Sequence, residues 1–482
     1  MRHAADHLIQ LLKRLGVVFG LLALLRGLFL LVHHAQFTVQ HPAELVQVLV
    51  QGARFDAMTI VVANAPLILL LLLPHPWRGH RHVRRAGLVL FVSVNALLLL
   101  LCCIDLPFFG FNGKRITRDV LGHAATGWRE LPGFLVRYWW AAGVFAAGVW
   151  ALVAVARRTS APFRPDDHRL LGELPVTALS LGAFALLGRG GWQYQGLSPA
   201  HAADHVPVAL APLVTNSAFT FGYSLSGPAF TVRRYFDAPE LDARMPLAYT
   251  LRKDSTDRQW NVVLLVVESL GREYLSTVSG EHAYMPFLDS LSAHALVLTD
   301  AYANAERSNK SMCALLAGIP SFTEDAFMNT PYGGNAVDGL GLRLKEMGYT
   351  TSFLHGGLNG EYKFDSFSKA CGFDRYIGRD EFGDDRHYDG HWGVYDEEFL
   401  QFAAERIEEQ PQPFCSVVFT LSSHDPFPIP ARYKGRFPKG PQDIHESLGY
   451  VDMALRRFFA SAATRPWQRN TSLVRTGEHR YQ

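Results

Sequence analysis

The sequence predicts a five-helix transmembrane domain followed by an α/β domain that has a mostly parallel sheet with helices on both faces. Only 19% of the 482 residues are charged and 49% are hydrophobic, whereas soluble domains carry about 25% charged residues. Residues 1–190 hold 19 Lys and Arg against 9 Asp and Glu, and the remaining residues hold 27 against 35. This composition excludes a disordered chain and a nucleic-acid-binding protein, and five cysteines are too few for a disulfide scaffold.

Five apolar runs in the basic half are long enough to cross a bilayer, which takes about 17–25 residues. A span can hold polar residues that face neighbouring helices, which accommodates Arg26, Asn64 and Glu173. A cleaved signal peptide is not expected, because the first run is long and further spans follow it. The predicted spans are residues 15–32, 57–73, 86–104, 138–156 and 170–188.

The positive charges in the short loops predict the orientation in the membrane. Segments 1–14, 75–85 and 157–169 hold eleven Lys and Arg in 38 residues, whereas segments 33–56 and 105–137 hold six in 57. The first set is therefore expected in the cytoplasm. Five crossings from a cytoplasmic start predict a multi-pass protein of the plasma (inner) membrane whose second half is extracytoplasmic.

The pattern of apolar residues changes after the last span and predicts three regions. These are a transmembrane domain at 1–188, a juxtamembrane connector at 189–260 and an α/β domain at 261–482. Strands alternating with helices indicate βαβ units, and nearly continuous apolar strands indicate a sheet covered on both faces. Strands are predicted at 261–267, 350–355, 415–421 and 471–476, and helices near 308–317, 337–347, 394–408 and 445–464.

Polar residues follow the ends of four predicted strands, where ligands bind in open α/β sheets. They are Glu268 with Ser269, His355 as the last residue of its strand, His424, and the pair Glu478 and His479. A single histidine at a strand end is more often capped or merely exposed. Four such ends together favour a carboxylate and imidazole site for a divalent metal ion, because hard cations take oxygen ligands and Zn or Mn also accepts imidazole.

Ser308 follows Arg307 at the start of a predicted helix, where backbone N–H groups and the helix dipole attract anions. One interpretation makes Ser308 a helix N-cap, which serine favours. The other makes it a nucleophile whose hydroxyl is activated by a metal ion. Arg307 and Lys310 either compensate charge on a phosphoryl group or are solvated cations. Ser311, one turn further along, is expected on a different part of the helix surface and to be dispensable.

Several motifs resemble the lipoteichoic acid synthase-like (phosphoglycerol transferase) branch of the sulfatase/alkaline phosphatase superfamily. The resemblance covers essentially the whole chain, including the five-span anchor followed by Gly-Arg-Gly-Gly. The motifs are Asn-Val-Val-x4-Glu-Ser at 261–269, Arg-Ser-Asn-Lys at 307–310, Leu-Ala-Gly-Ile-Pro-Ser at 316–321, His-Gly-Gly at 355–357, Trp-Gly-Val-Tyr-Asp-Glu-Glu at 392–398, Leu-Ser-Ser-His-Asp-Pro-Phe at 421–427 and Ile-His-Glu-Ser-Leu-Gly-Tyr at 444–450.

The resemblance implies a metal-dependent extracytoplasmic domain with a Ser or Thr nucleophile. Ser308 matches that nucleophile, which also touches the metal ion, and Glu268 matches the first metal ligand. His424 and His355 match positions that bind the substrate headgroup. The implied cofactor is a divalent metal ion (Mn, Mg or Zn). The implied partners are a membrane lipid that donates its headgroup and an envelope glycan or lipid that accepts it.

The sequence departs from the family pattern in two places. Segment 358–365 has Tyr362 and Asp365 where relatives that handle phosphoglycerol have Trp and Arg nearby. The last ligand pair lies in Thr-Gly-Glu-His (476–479) instead of Thr-Ala-Asp-His, so Glu478 and His479 are its counterparts here. Arg475 occupies a position expected to be apolar, and the chain is expected to be truncated or altered after about residue 471.

Three alternatives stay open. A true sulfatase would be expected to carry Cys/Ser-x-Pro-x-Arg, which 308–312 lacks. A phosphoethanolamine transferase would be expected to have a disulfide-rich domain, whereas this one has only Cys313, Cys371 and Cys415. A non-catalytic relative would keep a binding or scaffold role despite the altered terminal motif.

Overall fold

The chain forms two compact units in a computed structural model that describes residues 2–75, 78, 80–121, 131–159, 170–226, 234–245, 259–280 and 283–480. The first unit comprises Met1–Gly227, Met328–Val337 and Gly360–Ala370. The second comprises Pro228–Phe327, Asp338–Asn359 and Cys371–Gln482. The first unit therefore includes two short segments that lie far along the chain, one of which contains Tyr362 and Asp365.

The helices are numbered in chain order. They are α1 Arg2–Val32, α2 Pro42–Ala63, α3 Ala65–Leu72, α4 Arg81–Asn112, α5 Leu131–Arg137, α6 Trp139–Arg158, α7 Leu170–Arg189, α8 Ala211–Val214, α9 Ser217–Leu225, α10 Ala238–Arg244, α11 Ser276–Ser279, α12 Pro286–Ser292, α13 Ser308–Ala317, α14 Leu340–Glu346, α15 Phe364–Ala370, α16 Arg379–Phe382, α17 Asp396–Glu408 and α18 Ile444–Ala463.

Four helices in the described part of the chain are long and apolar enough to cross a membrane, namely α1 from Ala5 onward, α2, α4 and α6. The fifth predicted span is helical as α7 but is not among these four, so the count of five spans stays a prediction. The predicted second span, 57–73, is wrong in its bounds, because α2 already begins at Pro42 and the helix breaks at Asn64. Pro66 explains the break, since proline lacks the N–H that would continue the helix by bonding to the carbonyl four residues earlier.

Buried ion pairs hold the polar residues of the first unit, as predicted for Arg26 and Glu173. Arg26 pairs with Asp56 of α2 at 2.6 Å, and both side chains are buried. Glu173 of α7 accepts a hydrogen bond from Arg78 at 2.8 Å. Because removing one partner of a buried pair costs about 3–5 kcal/mol, these contacts fix how the helices of this unit pack.

The second unit contains a five-stranded parallel sheet of order β3-β2-β4-β1-β5, which confirms the predicted fold class. The sequence missed β3, which has only three residues. Alternate residues of β5 are exposed, and Arg475 of this strand is only partly buried at the end of the strand order. The strands are β1 Asn261–Val267, β2 Thr350–His355, β3 Arg375–Ile377, β4 Phe414–Phe419 and β5 Thr471–Gly477.

Apolar strand residues bury one face of the sheet against two long helices. Val263, Leu265 and Val267 of β1 share a core with side chains of α17 and α18. The bounds predicted for β1, β2 and α13 are confirmed, and those of β4, β5, α17 and α18 differ by at most two residues. The predicted helix 337–347 is shorter and begins after Gly339. These elements bring the carboxyl ends of β1, β2, β4 and β5 to one edge.

Candidate active site at the carboxyl ends of β1 and β5

The register of two parallel strands places the acidic residues side by side. β1 and β5 pair so that Val266 lies opposite Thr476 and Val267 opposite Gly477. Glu268 and Glu478 are the next residue on each strand, so they emerge together. Only glycine fits at position 477, because a Cβ atom there would collide with the carbonyl oxygen of Leu270.

Ser308 lies against both carboxylates and the imidazole of His479. Its Oγ donates a hydrogen bond to Glu268 Oε2 at 3.1 Å, and it lies 3.5 Å from Glu478 Oε1 and 3.2 Å from His479 Nε2. His479 Nε2 also lies 3.2 Å from Glu478 Oε1. One ligand atom from each of Glu268, Glu478 and His479 can be chosen so that all lie within 4.8 Å of one another. The fold therefore brings four residues from three distant segments to one point.

These residues fit a divalent metal ion. Both carboxylates are buried, and Glu478 Oε2 is buried without a hydrogen-bond partner. Burial and the neighbouring Glu268 raise the pKa of Glu478 well above its usual range. Two buried carboxylates beside one imidazole are costly without a compensating cation. The mixed oxygen and nitrogen donors suit Zn²⁺ or Mn²⁺.

Ser269, which directly follows Glu268, supports both carboxylates, a role that the sequence did not assign to it. Its Oγ donates to Glu268 Oε1 at 2.7 Å, and its backbone N–H donates to Glu478 Oε1 at 3.3 Å. It does so from the left-handed region, with a φ of 55°, where a residue other than glycine costs conformational energy. Thr420 accepts the backbone N–H of Glu268 at 3.0 Å. A serine directly after the strand-end glutamate was the available signal.

Ser308 is the first residue of α13, and Arg307 occupies the N-cap position without a side-chain capping bond. The interpretation of Ser308 as the N-cap is therefore wrong. Its hydroxyl points to the acidic cluster instead.

Ser311 is not the dispensable residue that the sequence analysis expected. It is 2% exposed, and its Oγ donates to the backbone carbonyl of Glu478 at 2.7 Å. Residues three apart share a helix face, so Ser308 and Ser311 both face the end of β5. Ser311 thus helps to hold the strand end that carries Glu478 and His479.

The two cations near Ser308 differ in their surroundings. Arg307 is exposed at the helix N-cap. Lys310 is buried, and its Nζ pairs with Glu306 at 2.7 Å. The interpretation of Lys310 as a solvated cation is therefore wrong, while compensation of phosphoryl charge by either residue stays a prediction.

His355 and His424 follow neighbouring strands but differ in access. His355 is 1% exposed, stacks on Phe419 with ring centroids 4.7 Å apart, and has its pKa lowered to about 4 by burial. It is therefore neutral near pH 7. His424 is partly exposed and contacts the ring of Trp392. His424 is the more accessible candidate for headgroup binding.

Asp396 and Ser423 hold the loop that carries His424. Asp396 is fully buried and accepts the backbone N–H groups of Leu421 at 2.8 Å and Ser422 at 3.1 Å. Ser423 Oγ donates to the backbone carbonyl of Glu268 at 2.6 Å. The position of His424 is therefore tied to the strand end that carries Glu268.

Burial of Asp396 leads to an expected pH dependence of stability. Desolvation raises the pKa of Asp396 to about 7, although hydrogen bonds from Leu421 and Ser422 oppose the shift. A carboxyl group whose pKa is raised by folding stabilises the protein fully below the unfolded pKa of about 4 and loses that contribution as the pH rises. We expect the free energy of unfolding to fall between about pH 4 and 7, and Asp396→Asn to remove this part of the dependence. Thermal unfolding of both proteins across this range tests it; a stability difference that is constant with pH would contradict it.

Comparisons with known proteins support the resemblance seen in the sequence. The sulfatase family matches residues 260–482. Phosphoglycerol transferase I of Escherichia coli is 25% identical over 332 residues, which cover 64% of this chain and 42% of that protein. The lipoteichoic acid synthase-like protein YvgJ of Bacillus subtilis is 24% identical over 234 residues, covering 45% of this chain and 36% of that protein. The chain thus spans less than half the length of these curated relatives.

A solved structure, the lipoteichoic acid synthase LtaP of Listeria monocytogenes, is similar with 21% identity and a TM-score of 0.44, covering 51% of this chain and 62% of that one. The residues matched to the sulfatase family are the ones that form the parallel sheet and carry the acidic strand ends. Residues 260–482 thus match the sulfatase family, and the chain is similar to a phosphoglycerol transferase and to a lipoteichoic acid synthase-like protein.

Proposed function

We propose that this chain is a membrane-anchored, extracytoplasmic, metal-dependent transferase or hydrolase of phosphate-ester headgroups, with Ser308 as its nucleophile. The observation that carries the proposal is the position of Ser308 Oγ, between 3.1 and 3.5 Å from Glu268, His479 and Glu478. The side chain of Ser308 points away from the helix and into a buried acidic cluster. This position suits a nucleophile better than a helix cap.

Glu268, Glu478, His479 and Ser308 would hold the metal ion. When bound, a divalent cation lowers the pKa of a coordinated hydroxyl and offsets charge on a phosphoryl group. Ser269 and Ser311 act on the protein side, because they hold the two carboxylates and the end of β5 in place. Outer partners of this kind orient metal ligands.

The reaction proceeds in two displacements at phosphorus. Ser308 Oγ loses its proton to water and attacks the phosphorus of the headgroup, and the bond from phosphorus to the lipid glycerol oxygen breaks. That oxygen leaves with the electron pair and takes a proton from water. An acceptor hydroxyl or water then attacks the headgroup held on Ser308, whose Oγ leaves and regains its proton. His424 would contact the headgroup oxygens from the partly exposed loop after β4.

The substrate class follows from the names of the relatives and from the membrane helices. Phosphoglycerol is the headgroup in the name of the Escherichia coli relative. A donor that is itself a membrane lipid explains why the catalytic domain is joined to apolar helices long enough to span a membrane. The acceptor is an envelope glycan or lipid, and hydrolysis is the outcome when water takes its place.

Headgroup release by the purified full chain tests the proposed function. Vesicles would contain phosphatidylglycerol or phosphatidylethanolamine with a labelled headgroup, with Mn²⁺, Mg²⁺ or Zn²⁺ supplied or chelated. We expect metal-dependent release or transfer of a phosphate-ester headgroup. Cleavage of an aryl sulfate in preference to both lipids would favour sulfate-ester hydrolysis, and release in none of these assays would favour the non-catalytic alternative.

The proposed topology has a separate test. Cysteine introduced at exposed Asp380 should be labelled in intact cells by a reagent that cannot cross the membrane, whereas cysteine at exposed His80 should not. The native background is low, since all five native cysteines are buried. Labelling at position 80 with none at position 380 would contradict the orientation.

A further inference from the structure

We propose that Trp392 is a positioning residue that fixes the ring of His424 and thereby the binding of the headgroup. The inference rests on the proposed function, because it assumes that His424 contacts substrate. Trp392 lies in the segment before α17 and is not one of the four residues proposed to bind metal.

The side chains of Trp392 and His424 contact the same backbone carbonyl oxygen. The indole Nε1–H donates to the backbone oxygen of Asp425 at 2.6 Å, and His424 Nδ1 lies 2.9 Å from the same atom. A carbonyl oxygen can only accept, so His424 Nδ1 must carry the proton in this contact. The nitrogen left to meet a substrate is therefore Nε2.

The two rings also touch, with centroids 4.2 Å apart and planes inclined by 53°. The oxygen of Asp425 has two lone pairs and can accept both donors. Together, the ring contact and the shared carbonyl restrict rotation of the imidazole about both side-chain torsions. His424 is partly exposed, so loss of Trp392 would leave the orientation of its ring more dependent on the Asp425 carbonyl.

The segment that carries Trp392 is itself rigid. Asp389 Oδ1 accepts the backbone N–H groups of His391, Trp392 and Gly393 at 2.8, 2.8 and 3.1 Å. Gly393 packs so closely on Gly356 that a Cβ atom would collide with the Gly356 carbonyl oxygen. The backbone next to Trp392 is therefore packed against the residues that follow β2. An indole on a fixed backbone can restrict the orientation of the His424 ring.

The loop that carries His424 is fixed from the other side as well. Ser423 is bonded to the Glu268 carbonyl, as described above. His424 thus lies between the strand end that carries a proposed metal ligand and the indole of Trp392. This arrangement sets the distance between a headgroup contact and the nucleophile, and small errors in such distances are costly in catalysis.

A double-mutant cycle on donor hydrolysis by the full chain tests the inference. Trp392→Phe keeps the ring contact but loses the N–H donor, and should raise the KM for the lipid about three- to tenfold with little change in kcat. Trp392→Ala should approach the effect of His424→Gln. In a His424→Gln background, Trp392→Ala should add less than about twofold, because its effect passes through His424. Trp192→Phe, at a residue that is 88% exposed, is the matched control and should change nothing.

Full additivity of Trp392→Ala and His424→Gln would overturn the inference, as would a fall in kcat with KM unchanged. A second readout does not need turnover. Because the imidazole of His424 contacts the indole of Trp392 and can quench its emission, His424→Gln should change tryptophan emission. The same substitution made together with Trp392→Phe should not, and comparing these pairs isolates Trp392 among the nine tryptophans.

An equal emission change with and without Trp392 would also overturn the inference. Coupling in emission without headgroup release would leave the positioning of His424 standing and would count against the proposed function. The two failures can therefore be told apart.

Discussion

Replacing Ser308 with alanine is expected to lower headgroup release by at least about 1000-fold while the fold stays intact, because no other hydroxyl takes the place of a lost nucleophile. Ser308 is not a capping residue, so the loss of its hydrogen bond to Glu268 should cost only about 1 kcal/mol of stability. Release of a labelled headgroup in the presence of Mn²⁺ measures the first effect, and thermal unfolding measures the second.

Three further serine variants make this result specific. Ser308→Thr should keep part of the activity, since it keeps the hydroxyl. Ser290→Ala is the matched control, because Ser290 is exposed on helix α12 and should be silent. Ser311→Ala should lower activity without abolishing it, since Ser311 holds the Glu478 carbonyl. Full activity in Ser308→Ala would contradict the covalent mechanism.

Replacing Glu478 with glutamine is expected to abolish most of the stabilisation that a divalent metal ion gives to the fold. Glu268 and Glu478 are two buried carboxylates around one imidazole, and burial with Glu268 raises the pKa of Glu478. Removing one charge should weaken metal binding by at least about 100-fold. It should also leave the metal-free protein as stable as the parent or more stable, because burial and Glu268 force Glu478 of the metal-free parent to stay protonated, a cost that glutamine does not carry. Unfolding temperatures measured over a titration with Mn²⁺ or Zn²⁺ test both effects.

Glu405→Gln is the control for this experiment, since Glu405 is exposed on α17. Glu478→Asp should lie between parent and Glu478→Gln, because the shorter side chain keeps the charge but withdraws it from Ser308 and His479. A metal-induced rise in unfolding temperature in Glu478→Gln equal to that of the parent would remove Glu478 from the metal site.

The core of the site could be predicted from the sequence because it follows from strand ends. β1 is a continuous apolar run directly followed by Glu268, and β5 is followed after one glycine by Glu478 and His479. Parallel strands bring such residues to one edge, which the register of β1 and β5 confirms. Ser308 is marked by its helix start and by the resemblance of Arg-Ser-Asn-Lys to the family motif, and only the folded chain shows that its hydroxyl contacts the acidic cluster.

The supporting residues could not be predicted, because their roles depend on contacts between distant segments. Ser269 adopts a positive φ, which a serine in the sequence does not predict. Asp396 accepts a hydrogen bond from the loop after β4, which is distant in sequence. The sequence predicts a dispensable Ser311, because helical spacing alone does not show that the end of β5 packs against this residue. In the apolar half, hydropathy located the helices but not the break at Asn64, where a proline overrides a continuous apolar run.

Mass spectrometry of the peptide that contains Ser308 tests directly whether this residue is the covalent nucleophile. The full chain would be incubated with the lipid donor and metal ion, without acceptor, and quenched in acid. We expect the headgroup phosphoester on Ser308 in the parent and no adduct in Ser308→Ala. Headgroup release with Ser308 unmodified at every time point, or an adduct on another residue, would contradict this expectation.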